Sequence, residues 1–240
     1  MILSSLALAL GQLDDPAFRR VLRRGVLLAL LALACASALA VAGAAWLIPD
    51  PLTLPWIGPV SWLDDALGWA LVPLLLVLSA VLMIPVASAI TGLFLDEVAD
   101  AVEARHYPDL PPARAIPWPE AMADGLRFLA VVLVANAVAL VLYLTLAPLA
   151  PLIFLSVNGF LLGREYVQLA AGRRMTRAQA KEFARRHRAG TWLAGALMAV
   201  PLAVPVLNLA VPVIGAATFT HLVDRWLRAA ATSARTSRGP

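Results

Sequence analysis

The chain has 240 residues, of which 61% are hydrophobic and 14% charged, with a mean hydropathy of +0.82, against roughly 45–50% apolar and about 25% charged in soluble domains. Too few polar side chains exist to cover a water-soluble core. None of the 19 basic or 15 acidic residues falls within 25–49, 66–95, 128–163 or 189–223, and each stretch exceeds the ~20 apolar residues that cross a bilayer. The pattern predicts one integral membrane domain over 1–240, ending in a disordered tail at 229–240.

The same inventory excludes several functions. Cys35 is the single cysteine and lies inside the first apolar stretch, so neither a disulfide framework nor a cysteine metal site is expected. His106, His187 and His221 fit no ligand spacing. Phosphate-cradling glycine loops and a nucleophile elbow are missing, and no nucleophile–base pair can be assembled. An enzyme, a bound cofactor and a nucleic-acid partner are therefore not expected. A cleavable signal peptide does not fit either: residues 1–10 carry no charge, and the apolar run continues to Ile48.

Charge asymmetry predicts the topology. Residues 1–24 carry Arg19, Arg20, Arg23 and Arg24, whereas 50–65 carry Asp50, Asp64 and Asp65 and no basic residue. The positive-inside rule puts the N-terminus in the cytoplasm and 50–65 outside. Residues 164–188 hold seven arginines and Lys181 against two glutamates, so this segment must be cytoplasmic as well. A single crossing by 128–163 would put it outside, and two full crossings need about 40 residues plus a turn. A re-entrant hairpin satisfies both conditions. Pro148 and Pro151 break its helix at the tip, and the return arm from Leu152 to Gly163 would reach only about 18 Å.

The stretch 189–223 repeats this pattern around Pro201, Pro205 and Pro212. The expected fold is thus all-α, with two long transmembrane helices and two proline-broken, hemi-penetrating hairpins. Unwound backbone at membrane depth survives where it is buried in protein or lines a cavity, a pattern of channels and transporters. Asn208, between Pro205 and Pro212, is expected at the second tip, either capping the broken helix or lining a pore.

Asp14-Asp15-Pro16 reads as a helix start ahead of Arg19 and Arg20. An oxyanion there would meet free backbone N–H groups, a helix dipole and guanidinium forks. Alternatively these arginines anchor the topology at phosphate headgroups. Arg174, Arg177, Lys181, Arg185 and Arg188 recur at helical spacing, as a face resting on anionic lipid or as a vestibule that concentrates anions. Asp96, Glu97, Asp100 and Glu103 form a solvated acidic face that could pair with that basic helix. Asn136, Asn158, Asn208 and His221 are the notable polar residues of the apolar stretches; His221, near the cytoplasmic exit, could titrate, with hydrogen-bonded packing as its plainer role. No Asp or Glu lies inside those stretches to serve as a proton relay.

Three passages resemble the CysZ-type sulfate transporter family: Gly92-Leu93-Phe94-Leu95-Asp96-Glu97-Val98 on to Glu103-Ala104-Arg105; Asn158-Gly159-Phe160-Leu161-Leu162-Gly163-Arg164-Glu165-Tyr166 with Arg173-Arg174; and Pro205-Val206-Leu207-Asn208-Leu209-Ala210-Val211-Pro212 followed by Gly215-Ala216-Ala217-Thr218. The resemblance implies an inner-membrane homo-oligomer that moves sulfate inward for cysteine synthesis. It also implies that the family's Gly-Leu-Arg-Arg anion motif falls on Ala17-Phe18-Arg19-Arg20, with Ala17 in place of glycine. The alternative is a membrane organiser that assembles partners through its hairpins without transport.

Overall fold

A helix ends where its backbone hydrogen bonds are denied, and prolines supply two such ends here. In the computed structural model, helix α4 (Trp118–Thr145) stops before a 3₁₀ turn at Ala147–Leu149, and α5 (Ala150–Gly172) starts beyond it. Pro148 lies in the turn and Pro151 in the first turn of α5. Helix α7 (Arg188–Ala199) likewise gives way to a 3₁₀ turn at Val200–Ala203 before α8 (Pro205–Thr236). The earlier elements are α1 (Ile2–Leu10), α2 (Pro16–Leu47), a two-residue antiparallel ladder of β1 (Thr53–Leu54) with β2 (Gly58–Pro59), and α3 (Leu95–His106). Between α5 and α7 lies α6 (Arg177–Arg186), opened by a Thr176–Gln179 capping box. The structure describes residues 1–47, 53–54, 58–59, 75, 77, 86 and 93–236. Most of the apolar stretch 66–95 and the acidic segment 50–65 lie outside the described residues.

Four described helices are long and apolar enough to cross a membrane: Pro16–Gly43, Trp118–Thr145, Ala147–Gly172 and Leu207–Ser233. The chain is accordingly a multi-pass membrane protein. Two arms differ from expectation. The return arm α5 has 23 residues, about 34 Å of helix, because the helix runs past the last apolar letter through Arg164 and Glu165. At the second break the turn lies at Val200–Ala203, so Pro205 opens α8, Asn208 sits in its first turn, and Pro212 is inside it. The Asn208 amide donates to the Val204 carbonyl at 2.9 Å. Pro212 has no N–H to return to the Asn208 carbonyl, yet the helix continues to Thr236, through most of the segment expected as a tail.

The contacts divide the chain into two units, Leu22–Leu93 and the remainder, Met1–Val21 with Phe94–Pro240. In the first, α2 presents Leu27, Leu31 and Leu39 to the surroundings, as a lipid-facing helix does. The second has a core of Val98 and Val102 from α3, Tyr166 and Val167 from α5, and Phe219 and Leu222 from α8. Helices α5 and α7 meet at backbone distance: a Cβ on Gly159 would stand 2.9 Å from that of Ala196, and one on Gly195 would stand 2.6 Å from the Gly163 nitrogen. Gly159-x-x-x-Gly163 thus forms the small-residue seam by which membrane helices pack closely. Gly215 of α8 makes room for Tyr166, whose ring carbon would lie 2.5 Å from an added Cβ.

Candidate anion-binding sites

The start of α2 is fixed from below by Gln12, which is 1% exposed. Its amide donates to the Ala101 carbonyl of α3 at 3.2 Å and to the Asp15 carboxylate at 3.0 Å. Asp15 in turn accepts the Ala17 N–H at 2.9 Å, as an N-cap acid does. Burial would raise the Asp15 pKa, but the bonds from Gln12 and Ala17, with Arg105 and Arg20 nearby, hold it below the ordinary carboxylate value. Arg19 donates to Asp14 at 2.5 Å, and both side chains are exposed. Phe18 is 2% exposed and belongs to the core, Ala17 is half-buried, and Arg20 faces outward. Of the donors expected for an oxyanion, the Ala17 N–H already serves Asp15 and the Arg19 guanidinium already holds a carboxylate.

The acidic face of α3 pairs with Arg174, one of the cations expected to meet it, but chiefly with Arg173, which is not among them. This side chain is 5% exposed and bonds Asp96 at 3.0 Å, Glu103 at 2.9 Å and Asp100 as well. Arg174 reaches Glu103 at 2.5 Å and also donates to the Pro111 carbonyl. Burial disfavours the charge on Arg173, but the Glu103 and Asp100 carboxylates outweigh that and raise its pKa. This network ties α3 to the end of α5.

A third arrangement was only half visible in the sequence. A groove of about 960 Å³ runs between the start of α4, the end of α5 and the face of α6. Arg177, Lys181 and Arg185 line it from α6 at spacings of four, and Arg114, Arg127 and Arg164 add three more cations. Three carboxylates oppose them. Glu120 is bound by both arms of Arg114, at 3.1 and 2.6 Å. Asp124 pairs with Arg177 at 2.6 Å and with Arg127 at 3.8 Å. Among the described residues, Arg164, Lys181 and Glu165 have no ion-pair partner. Arg174 and Arg188, expected on the same helical face, lie outside the groove. The signal for Arg164 and Glu165 was their place at the edge of an apolar stretch; that they would share a groove with α6 required the tertiary fold.

Asn136 and Asn158 donate to the carbonyls of Val132 and Phe154, one turn back on their own helices. His221 is fully buried, shares a hydrogen bond with the Tyr107 hydroxyl at 2.8 Å, and stacks edge-on to His106 with ring centroids 4.8 Å apart. Asn208 is half-buried.

With these sites in view, the family model described as sulfate transporter CysZ/etoposide-induced protein 2.4 matches residues 5–212. A search of curated proteins finds no match.

Proposed function

Because this chain belongs to the sulfate transporter CysZ/etoposide-induced protein 2.4 family, we propose that it conducts sulfate, or a closely related oxyanion, inward across a bacterial inner membrane for cysteine synthesis. In this reading it works as a homo-oligomer with both termini in the cytoplasm. Arg19 and Arg20 form its first anion site, and the segment Pro205–Asn208–Pro212 lies on the permeation path or at a subunit contact.

The observation that carries the site is the Arg19–Asp14 pair. Its side chains are 66% and 95% exposed, and an ion pair in water is worth at most about 1 kcal/mol. An incoming dianion can therefore displace Asp14 and take the guanidinium together with Arg20. Sulfate gives up strong hydration on binding, and charge-assisted hydrogen bonds from two guanidinium groups offset that loss. The Ala17 N–H contributes little, being held by Asp15.

Sulfate uptake and binding in proteoliposomes test this reading. Arg19 and Arg20 both replaced by alanine should lose most of the affinity, whereas Asp14→Asn, which removes the competing carboxylate, should gain it. Unchanged affinity in a correctly inserted double mutant would return the two arginines to topology anchors. A wild-type protein without oxyanion flux would leave the organiser as the better description.

A further inference from the structure

The groove between α4, α5 and α6 is poorly matched to the ion of the transport reading. At about 960 Å³ it lies at the upper end of the ~300–1,000 Å³ typical of pockets for organic ligands. An inorganic oxyanion would fill one corner. Much of its wall is apolar, with Phe128, Phe160 and Leu169 among the lining side chains, and such surfaces offer nothing to a hydrated dianion.

Its position says more. The groove opens where two membrane-length helices end, at the first turns of α4 and the last turns of α5. Trp118, at the head of α4, is 72% exposed, as interfacial tryptophans are at headgroup level. The charges left unpaired are of both signs. Arg164 and Lys181 have no carboxylate partner among the described residues, and half-buried Glu165 has no cation. Of the other four arginines of the wall, Arg114, Arg127 and Arg177 are committed to Glu120 and Asp124, and Arg185 to Glu182. A half-buried carboxylate without a partner must either take up a proton or meet a cation, and a cation brought by a ligand would keep it charged.

We propose that the groove seats an aminophospholipid of the surrounding bilayer. Its phosphate diester is held by Arg164 and Lys181, its primary ammonium by Glu165, and an acyl chain lies along Phe128, Phe160 and Leu169. Guanidinium and ammonium groups donate to phosphate oxygens, a carboxylate accepts from the lipid's ammonium N–H groups, and the aromatic wall buries hydrocarbon. A choline headgroup has no N–H to give Glu165, and a glycerol headgroup brings no positive charge to it. The complement of groups therefore selects phosphatidylethanolamine over both, independently of what the protein transports.

Native mass spectrometry of the full chain tests this directly. The purified, delipidated protein is offered phosphatidylethanolamine, phosphatidylcholine and phosphatidylglycerol with identical acyl chains in equal amounts. The ethanolamine lipid should be retained about tenfold over the other two, the factor of one charge-assisted hydrogen bond. Glu165→Gln should erase that preference while retaining phosphatidylglycerol, and Arg164→Ala should weaken retention of all three. Lys181 is exposed, so Lys181→Ala gives a weaker version of the same loss without disturbing packing. Equal retention of choline and ethanolamine lipids would overturn the proposal. So would an undiminished preference in Glu165→Gln, an oligomer that retains no lipid, or displacement of the lipid by excess sulfate. Sulfate uptake is measured separately, so a negative lipid result leaves the transport reading intact.

Discussion

Gly195 of α7 and Gly163 of α5 are so close that a Cβ on Gly195 would stand 2.6 Å from the Gly163 amide nitrogen. The obstructing atoms are backbone, which cannot rotate aside. Gly195→Val must therefore push α7 off α5. We expect a loss of about 1–3 kcal/mol or more, read as a lower thermal midpoint in detergent, whereas Gly43→Ala, inside α2 with nothing near its Cβ position, should keep or raise the midpoint. Equal midpoints for wild type and Gly195→Val would show that the seam is not tight in solution.

The three carboxylates around Arg173 should not be equivalent. The Glu103 side chain is 13% exposed and serves both Arg173 and Arg174, while that of Asp96 is 72% exposed and touches one of them. Glu103→Gln removes the carboxylate shared by Arg173 and Arg174, leaving Arg173 to Asp96 and Asp100, and should cost about 1.5–3 kcal/mol. Asp96→Asn should cost less than about 1 kcal/mol. Chemical denaturation of the two variants side by side checks the ranking.

Acid should weaken the packing around His106. Burial, and next the charge of Arg105, hold its imidazole below the ordinary value. As pH falls below about 6.5 the unfolded chain takes up this proton while the folded one does not. The contribution present above that pH is lost on acidification, and the loss stops once folded His106 itself protonates. Partial exposure keeps the slope well below the ~1.4 kcal/mol per pH unit of one full proton. Comparing thermal midpoints at pH 7.5 and 5.5, His106→Phe should flatten part of the fall seen in the wild type; an identical fall would place the titrating group elsewhere.

Topology is checked by labelling single cysteines in a chain where Cys35 is replaced. Ala178 stands exposed on α6, unlike buried Ala180, so a cysteine there reports access cleanly. A membrane-impermeant thiol reagent should reach position 178 only after the membrane is opened. Labelling in sealed cells would put the cationic face of α6 outside and end the positive-inside assignment.

Residue letters carried the helix breaks better than the helix lengths. Pro148, Pro151, Pro201 and Pro205 mark both interruptions because proline withholds an N–H wherever it stands. Helix lengths differ from the apolar stretches because hydropathy does not end a helix: α5 continues through Arg164 and Glu165, and α8 continues past Pro212, whose missing N–H frees the Asn208 carbonyl, a group that protein surroundings can satisfy and lipid cannot. The Arg177–Lys181–Arg185 face follows from spacing alone. What joins it to Arg164 and Glu165, or gathers Asp96, Asp100 and Glu103 around Arg173, is contact between segments 70 or more residues apart in the second case, and no local pattern encodes it. The anion chemistry proposed for Arg19 and Arg20 follows from residue type and position, but the prior hold of Asp14 and Asp15 on the donors there does not.

The four membrane-length helices are not equally fit to enter a bilayer alone. Pro16–Gly43 and Trp118–Thr145 have a mean hydropathy of 2.5 over their most apolar part, of which only 11% and 6% is buried in protein. Leu207–Ser233 has a mean of only 1.3 and is 67% buried, so its surroundings are other helices more than lipid. During synthesis the first two can partition by their own hydrophobicity, but α8 must wait for a protein surface to receive it. Integration of α8 therefore depends on helices already in place, because little of its own surface is left for lipid. A chain carrying α8 behind a neutral soluble leader should fail to integrate it, while α4 in the same setting should integrate.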